Sequence, residues 1–111
     1  MYSMEEEIVL CAASCYTKKY YLNPEFEALP QLVKDELKIM CVLYTEDVSG
    51  TIQLKFDEEG SLRIQVDHEE TDLLYDEIGS ALKVKQMQRD KAELFEQLET
   101  YFKVMFLGEG L

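Results

Sequence analysis

Tryptophan is missing from this chain, histidine occurs once and proline twice in 111 residues, and 11 positive side chains stand against 23 negative ones. The shortage of cations excludes the most. At a formal net charge of −12 the chain repels a phosphate backbone and an anionic bilayer surface, so neither nucleic acid nor membrane is an expected partner. The apolar run Ile8 to Cys15 is too short to span a bilayer, and it follows Glu5-Glu6-Glu7 where a secretory signal needs positive charge. A cytoplasmic location is expected. Three cysteines, Cys11, Cys15 and Cys41, form no even disulfide framework and read as small buried apolar residues. A glycine-rich phosphate loop, a dinucleotide fingerprint and a Cys-x-x-Cys pair are all lacking.

What is present is 47% hydrophobic content, enough for one domain over residues 1–111 that needs no metal, disulfide or other cofactor to fold. From Asp72 to Leu107 there is no proline, a single glycine and a near-continuous helical pattern. A straight helix over that span would be roughly 54 Å long, whereas a compact domain of this size has a radius of gyration of about 13 Å. It must bend, near Gly79 or between Lys83 and Lys91, or project into a partner. Its last turns, Tyr101-Phe102-Lys103-Val104-Met105-Phe106-Leu107, are apolar on nearly all sides and demand cover on all sides, which a second copy of the chain supplies.

Ahead of it, apolar residues recurring at threes and fours from Ile8 to Cys15 predict a helix over Glu5 to about Tyr21. Asn23-Pro24 ends it and caps a short turn through Phe26. Pro30 opens a second helix with the face Val33, Leu37, Met40, Cys41, Tyr44 and Val48, widened by Leu32, Ile39 and Leu43 into the stripe of a central core helix that Ser49-Gly50 stops. Ile52, Leu54, Phe56 and then Leu62, Ile64, Val66 alternate with polar residues around a turn at Gly60, which predicts a hairpin whose open edges invite a second copy. Thr71 or Asp72 is the expected cap of the long helix. The expected class is α+β: two N-terminal helices, a β-hairpin, and a long C-terminal helix packed on a small antiparallel sheet.

The segments Lys19-Tyr20-Tyr21-Leu22-Asn23-Pro24-Glu25-Phe26, Asp35-Glu36-Leu37-Lys38-Ile39-Met40-Cys41-Val42, Thr45-Glu46-Asp47-Val48 and Asp76-Glu77-Ile78-Gly79 resemble a family of short uncharacterised proteins from anaerobic Gram-positive bacteria. The resemblance covers most of the chain. It implies a free-standing bacterial protein and carries no activity or cofactor with it.

Candidate chemistry is thin. Cys11, Cys15, Cys41 and His68 together are a conceivable zinc set, but the cysteines lie on an apolar stripe that packing explains. His68 sits among Asp67, Glu69 and Glu70 without a nucleophile motif to serve. Glu69, Asp72 and Asp76 are an acidic cluster fit for a divalent cation, yet a helix start favours acids without one. Lys83, Lys85, Arg89 and Lys91 form a basic belt, either an anion site or a set of partners for the chain's own acidic surface. Tyr16, Tyr20, Tyr21 and Phe26 are rich enough in rings to line a pocket. Gly79 costs about 1 kcal/mol within a helix, which a bend or a close helix crossing would explain.

The sequence therefore reads as a non-enzymatic interaction protein that forms a homo-oligomer, a dimer first of all, through Leu94, Phe95, Leu98, Tyr101, Phe102, Met105 and Phe106, and that meets another protein. The alternative is a small-molecule or divalent-cation-binding domain, possible as an enzyme, built on the acidic connection and the belt. A third is an acidic mimic that occupies a nucleic-acid-binding protein.

Overall fold

The computed structural model describes residues 7–109. Its elements run Ile8–Ser14 (β1), Lys19–Leu22 (β2), a 3-10 turn at Pro24–Phe26, the helix Gln31–Val48 (α1), Thr51–Phe56 (β3), Leu62–Asp67 (β4), and the helices Glu77–Asp90 (α2) and Ala92–Met105 (α3). The class is α+β, but the chain does not begin with two helices. The segment expected to be the first helix is instead a strand pair; Glu5 and Glu6 of that expected helix lie outside the described residues.

A bulge accounts for the false helical signal. Val9 stands opposite Lys55 and Cys11 opposite Leu54, which leaves Leu10 as an extra residue in β1. The buried positions are therefore Ile8, Leu10, Cys11 and Ala13. That spacing breaks the period of two that marks a strand and imitates three-and-four spacing. Asn23 supports the bulge: its backbone N–H donates to the Leu10 carbonyl at 3.0 Å and its side-chain amide to the Val9 carbonyl at 2.7 Å. The same side chain accepts the Glu25 N–H at 3.0 Å and so caps the 3-10 turn, as expected of it.

The sheet is antiparallel throughout, in the order β2-β1-β3-β4. The β3–β4 hairpin forms as the alternation predicted. Burial disfavours the charge on Asp57 in its turn, but the N–H groups of Ser61 and Glu59 and the Arg63 guanidinium hold this carboxyl below the usual range. Gly60 has φ +87°, and a Cβ there would stand 2.8 Å from Cγ of Lys103, so the turn needs glycine both for its backbone and for the passage of α3 over it. One of the hairpin's two edges is not open, because β1 covers β3.

Both α1 and α3 lie on the same sheet face. Ile52, Leu54 and Phe56 point inward from β3 and are fully buried. Opposite Leu54, Cys11 reaches Cys41 of α1, while Phe56 stacks on Phe102 of α3 with ring centroids 4.2 Å apart. Phe26 joins this stack at 5.6 Å from Phe56 and 5.0 Å from Phe106. Helix α1 begins at Gln31, with Pro30 (ψ 145°) as its N-cap rather than its first residue, and stops at Ser49 (φ +71°) and Gly50 (φ +85°), where the sequence placed its end.

The long C-terminal helix is two helices. It starts at Glu77 rather than at Asp72, because Asp76 is the residue whose carboxylate accepts the Gly79 N–H at 2.9 Å. A Cβ on Gly79 would lie 2.5 Å from Oδ2 of that carboxylate, so the glycine makes room for the cap and marks neither a bend nor a helix crossing. The change of direction comes at Lys91 (φ −110°, ψ 18°), at the end of the stretch where a bend was expected. It lets α2 lie along α1 while α3 crosses to the sheet.

Phe102 is 1% exposed within the aromatic stack, and Met105, one turn on, is 63% exposed. Phe102→Ala should lower unfolding free energy by about 3–5 kcal/mol in urea titrations, whereas Met105→Ala should stay within about 0.5 kcal/mol of the parent.

Candidate functional site

Helix α1 carries a wide apolar stripe but buries only part of it. Leu32, Ile39 and Leu43, which widened its expected core stripe, are 82%, 58% and 51% exposed. They line a groove of about 490 Å³ between α1 and α2, with Met40, Tyr44 and Met87 toward its floor. Two ion pairs cross it: Lys83 to Asp47 at 3.1 Å and Lys91 to Glu36 at 2.8 Å. Arg89 lies 3.3 Å from Asp90. Three of the four belt residues thus pair with the chain's own carboxylates, and the belt does not close around a cavity of its own. Under the groove the Tyr44 and Ser80 hydroxyls are 2.6 Å apart and the Tyr75 hydroxyl donates to Ser80 at 2.7 Å, which ties α1 and α2 to the preceding connection. Burial pushes the Tyr44 phenol up to about 12.

The aromatic surface expected to seek a second copy is largely taken up at home. Leu94, Leu98 and Phe102 belong to the core, and Phe95, Tyr101 and Phe106 pack against it half-buried; Met105 is the exposed member.

A second concavity, about 830 Å³, opens on the other flank of α1, between that helix and the β1–β2 turn. Lys18 from the turn, Lys19 at the start of β2 and Lys38 from α1 line it, with Tyr20, Glu46 and the 86% exposed Leu74. None of these lysines was singled out from the sequence. Lys38 lies some way along the chain from the adjacent Lys18 and Lys19, and the three converge because the turn folds back toward α1.

The turn is held by a shared carboxylate. Oδ2 of Asp72 accepts the Tyr16 hydroxyl and the Ser49 hydroxyl, each at 2.6 Å, and Oδ1 accepts the Leu74 N–H at 3.0 Å. These donors, Ser49 first, hold the Asp72 carboxyl below the usual range. Asp72 therefore fastens the β1–β2 turn, the end of α1 and the connection, where sequence reading placed a helix cap or a cation ligand.

The remaining candidates have separate duties. Sγ atoms of Cys11 and Cys41 are 3.9 Å apart and fully buried, and the adjoining Cys11 thiol and burial push the Cys41 thiol up, away from nucleophilic character. Cys15 accepts the Gly50 N–H at 3.0 Å. His68 stacks on Tyr75 at 4.0 Å with Nε2 3.8 Å from Glu77. Among the described residues no three His, Cys, Asp or Glu side chains stand together as a metal site, and no helix is long and apolar enough to cross a membrane. Of the aromatic run, Phe26 is buried in the stack and Tyr21 is half exposed, while Tyr20 alone lines the cleft with its hydroxyl buried and unpartnered.

Residues 7–110 match the model of a family of unknown function, DUF6145, and the chain belongs to that family. No curated protein and no solved structure matches it.

A carboxyl whose folded value is depressed stabilises the fold above its unfolded value, about 3.9 for aspartate, and loses that contribution as pH falls through the folded value. Asp72→Asn should accordingly be less stable than the parent at pH 7, with the gap narrowing below about pH 4 in urea titrations run across pH.

Proposed function

We propose that this member of the family is a non-enzymatic interaction domain that forms a homodimer through the groove between α1 and α2. The observation that carries this is the outward stripe Leu32, Ile39, Leu43, spaced to present one ridge of a helix beside a furrow of matching chemistry. Each copy offers both ridge and furrow, so a two-fold arrangement seats the ridge of one in the furrow of the other. Charge selects the same face. The groove's Glu36 and Asp47 are neutralised by Lys91 and Lys83, and Asp90 by Arg89, whereas the surplus acid of a −12 chain repels a second copy elsewhere.

Burying six such side chains, three per copy, contributes about 9–18 kcal/mol in all against an association cost of about 4–15 kcal/mol, and the roughly 8 kcal/mol of a micromolar dimer falls within the difference. The acidic balance supports a cytoplasmic location, and the motif resemblance supports an anaerobic Gram-positive source. A further protein partner would use the surface that dimerisation leaves open, including the exposed Ile78 and Leu82 of α2.

Sedimentation velocity between about 1 and 200 µM tests the dimer. The parent should move from monomer to dimer over that range, and Ile39→Glu with Leu43→Glu should stay monomeric with an unchanged melting curve. Met105→Glu should dimerise as the parent does. A parent that is monomeric throughout, or a double variant that dimerises equally well, overturns the proposal.

A further inference from the structure

Six cations of this acidic chain, Lys34, Lys55, Arg63, Lys83, Arg89 and Lys91, lie within ion-pair distance of a carboxylate. The other five, Lys18, Lys19, Lys38, Lys85 and Lys103, do not among the described residues, and three of them, Lys18, Lys19 and Lys38, line the cleft between α1 and the β1–β2 turn. With 23 acidic side chains available, three unpaired ammonium groups around one concavity, against the single carboxylate of Glu46, leave it with a local charge of +2 on a molecule of −12. Lys18 also holds φ +54°, a conformation that glycine and asparagine adopt at less cost, so a lysine occupies a turn position that backbone preference assigns to others.

We infer that this cleft binds a small organic phosphate, a phosphate monoester joined to an apolar or aromatic body. Lysines suit the phosphoryl group: they are mobile point charges with three donors each, and the cleft has no guanidinium fork of the kind that fits carboxylates edge to edge. The body is accommodated by the ring of Tyr20, by Val42 and by Leu74, whose exposed side chain gains cover from a bound molecule. A volume of about 830 Å³ is in the range of sites that enclose metabolite-sized ligands. The cleft and the α1–α2 groove share no lining residue, so occupancy of one and dimerisation through the other are separate properties.

The test is a titration of isotope-labelled full chain with phenyl phosphate, followed by amide chemical shifts. Saturable shifts confined to residues 13–20, 38–49 and 74 are expected, with affinity reduced about tenfold or more in Lys18→Gln/Lys19→Gln/Lys38→Gln and little changed in Lys85→Gln/Lys103→Gln, which alters charge outside the cleft. Phenol alone should bind more weakly than phenyl phosphate, and Leu74→Ala should weaken phenyl phosphate more than inorganic phosphate. Shifts that do not saturate, shifts centred on Lys83 to Lys91, or equal losses in the two sets of variants overturn the inference. Capture on vesicles of phosphatidylcholine with phosphatidic acid, without binding of soluble phenyl phosphate, overturns it as well.

Discussion

The fold rests on one constraint: a four-stranded sheet has a single apolar face, and two helices must share it. Phe56 belongs to the hairpin, Phe102 to α3, Phe106 to the C-cap of that helix and Phe26 to the turn before α1, and their stacked rings bring all three segments to one point. Once α3 is committed there, its apolar side is no longer surplus. The break at Lys91 follows from the same constraint, since a straight continuation of α2 would carry Leu94, Leu98 and Phe102 past the sheet rather than onto it. The apolar surface left over falls to α1, which has the sheet on one side and only part of α2 on the other.

Local signals in the sequence were sufficient wherever the structure is itself local. The β3–β4 hairpin, the end of α1 and the capped turn at Asn23 each depend on residues within a few positions of one another, and each forms as read. The strand β1 does not. Its identity depends on β3, beyond the whole of α1, and its bulge at Leu10 removes the alternation by which strands are recognised. On α1 the inward face was legible, since Leu37, Met40, Cys41, Tyr44 and Val48 are buried as read; the width of that face was not, because Leu32, Ile39 and Leu43 are equally hydrophobic and only the placement of the sheet and α2 decides how much is covered. The cleft lysines were invisible for another reason. Lys18-Lys19 and Lys38 are short, ordinary charges in sequence, and their meaning is a matter of convergence.

Charge on this molecule is managed rather than merely abundant. The belt from Lys83 to Lys91 neutralises acids along the α1–α2 groove, and exposed pairs of that kind add little stability on their own. Their effect is to make one apolar face electrically quiet on an otherwise repulsive surface. On the opposite flank of α1 the cations are left without such partners, so the two sides of a single helix have different electrostatic character.

The central position of β1 bears on how the chain is made. It is synthesised ahead of its principal neighbour, β3, which follows only after β2 and the whole of α1, and a two-stranded β1–β2 pair is marginal in water. Phe102, which closes the core over Phe56, follows later still, in α3. The nascent chain must therefore carry an unsheltered apolar strand while β2, α1 and β3 emerge, and its excess of 23 acidic over 11 basic residues opposes association of that intermediate until α3 is available.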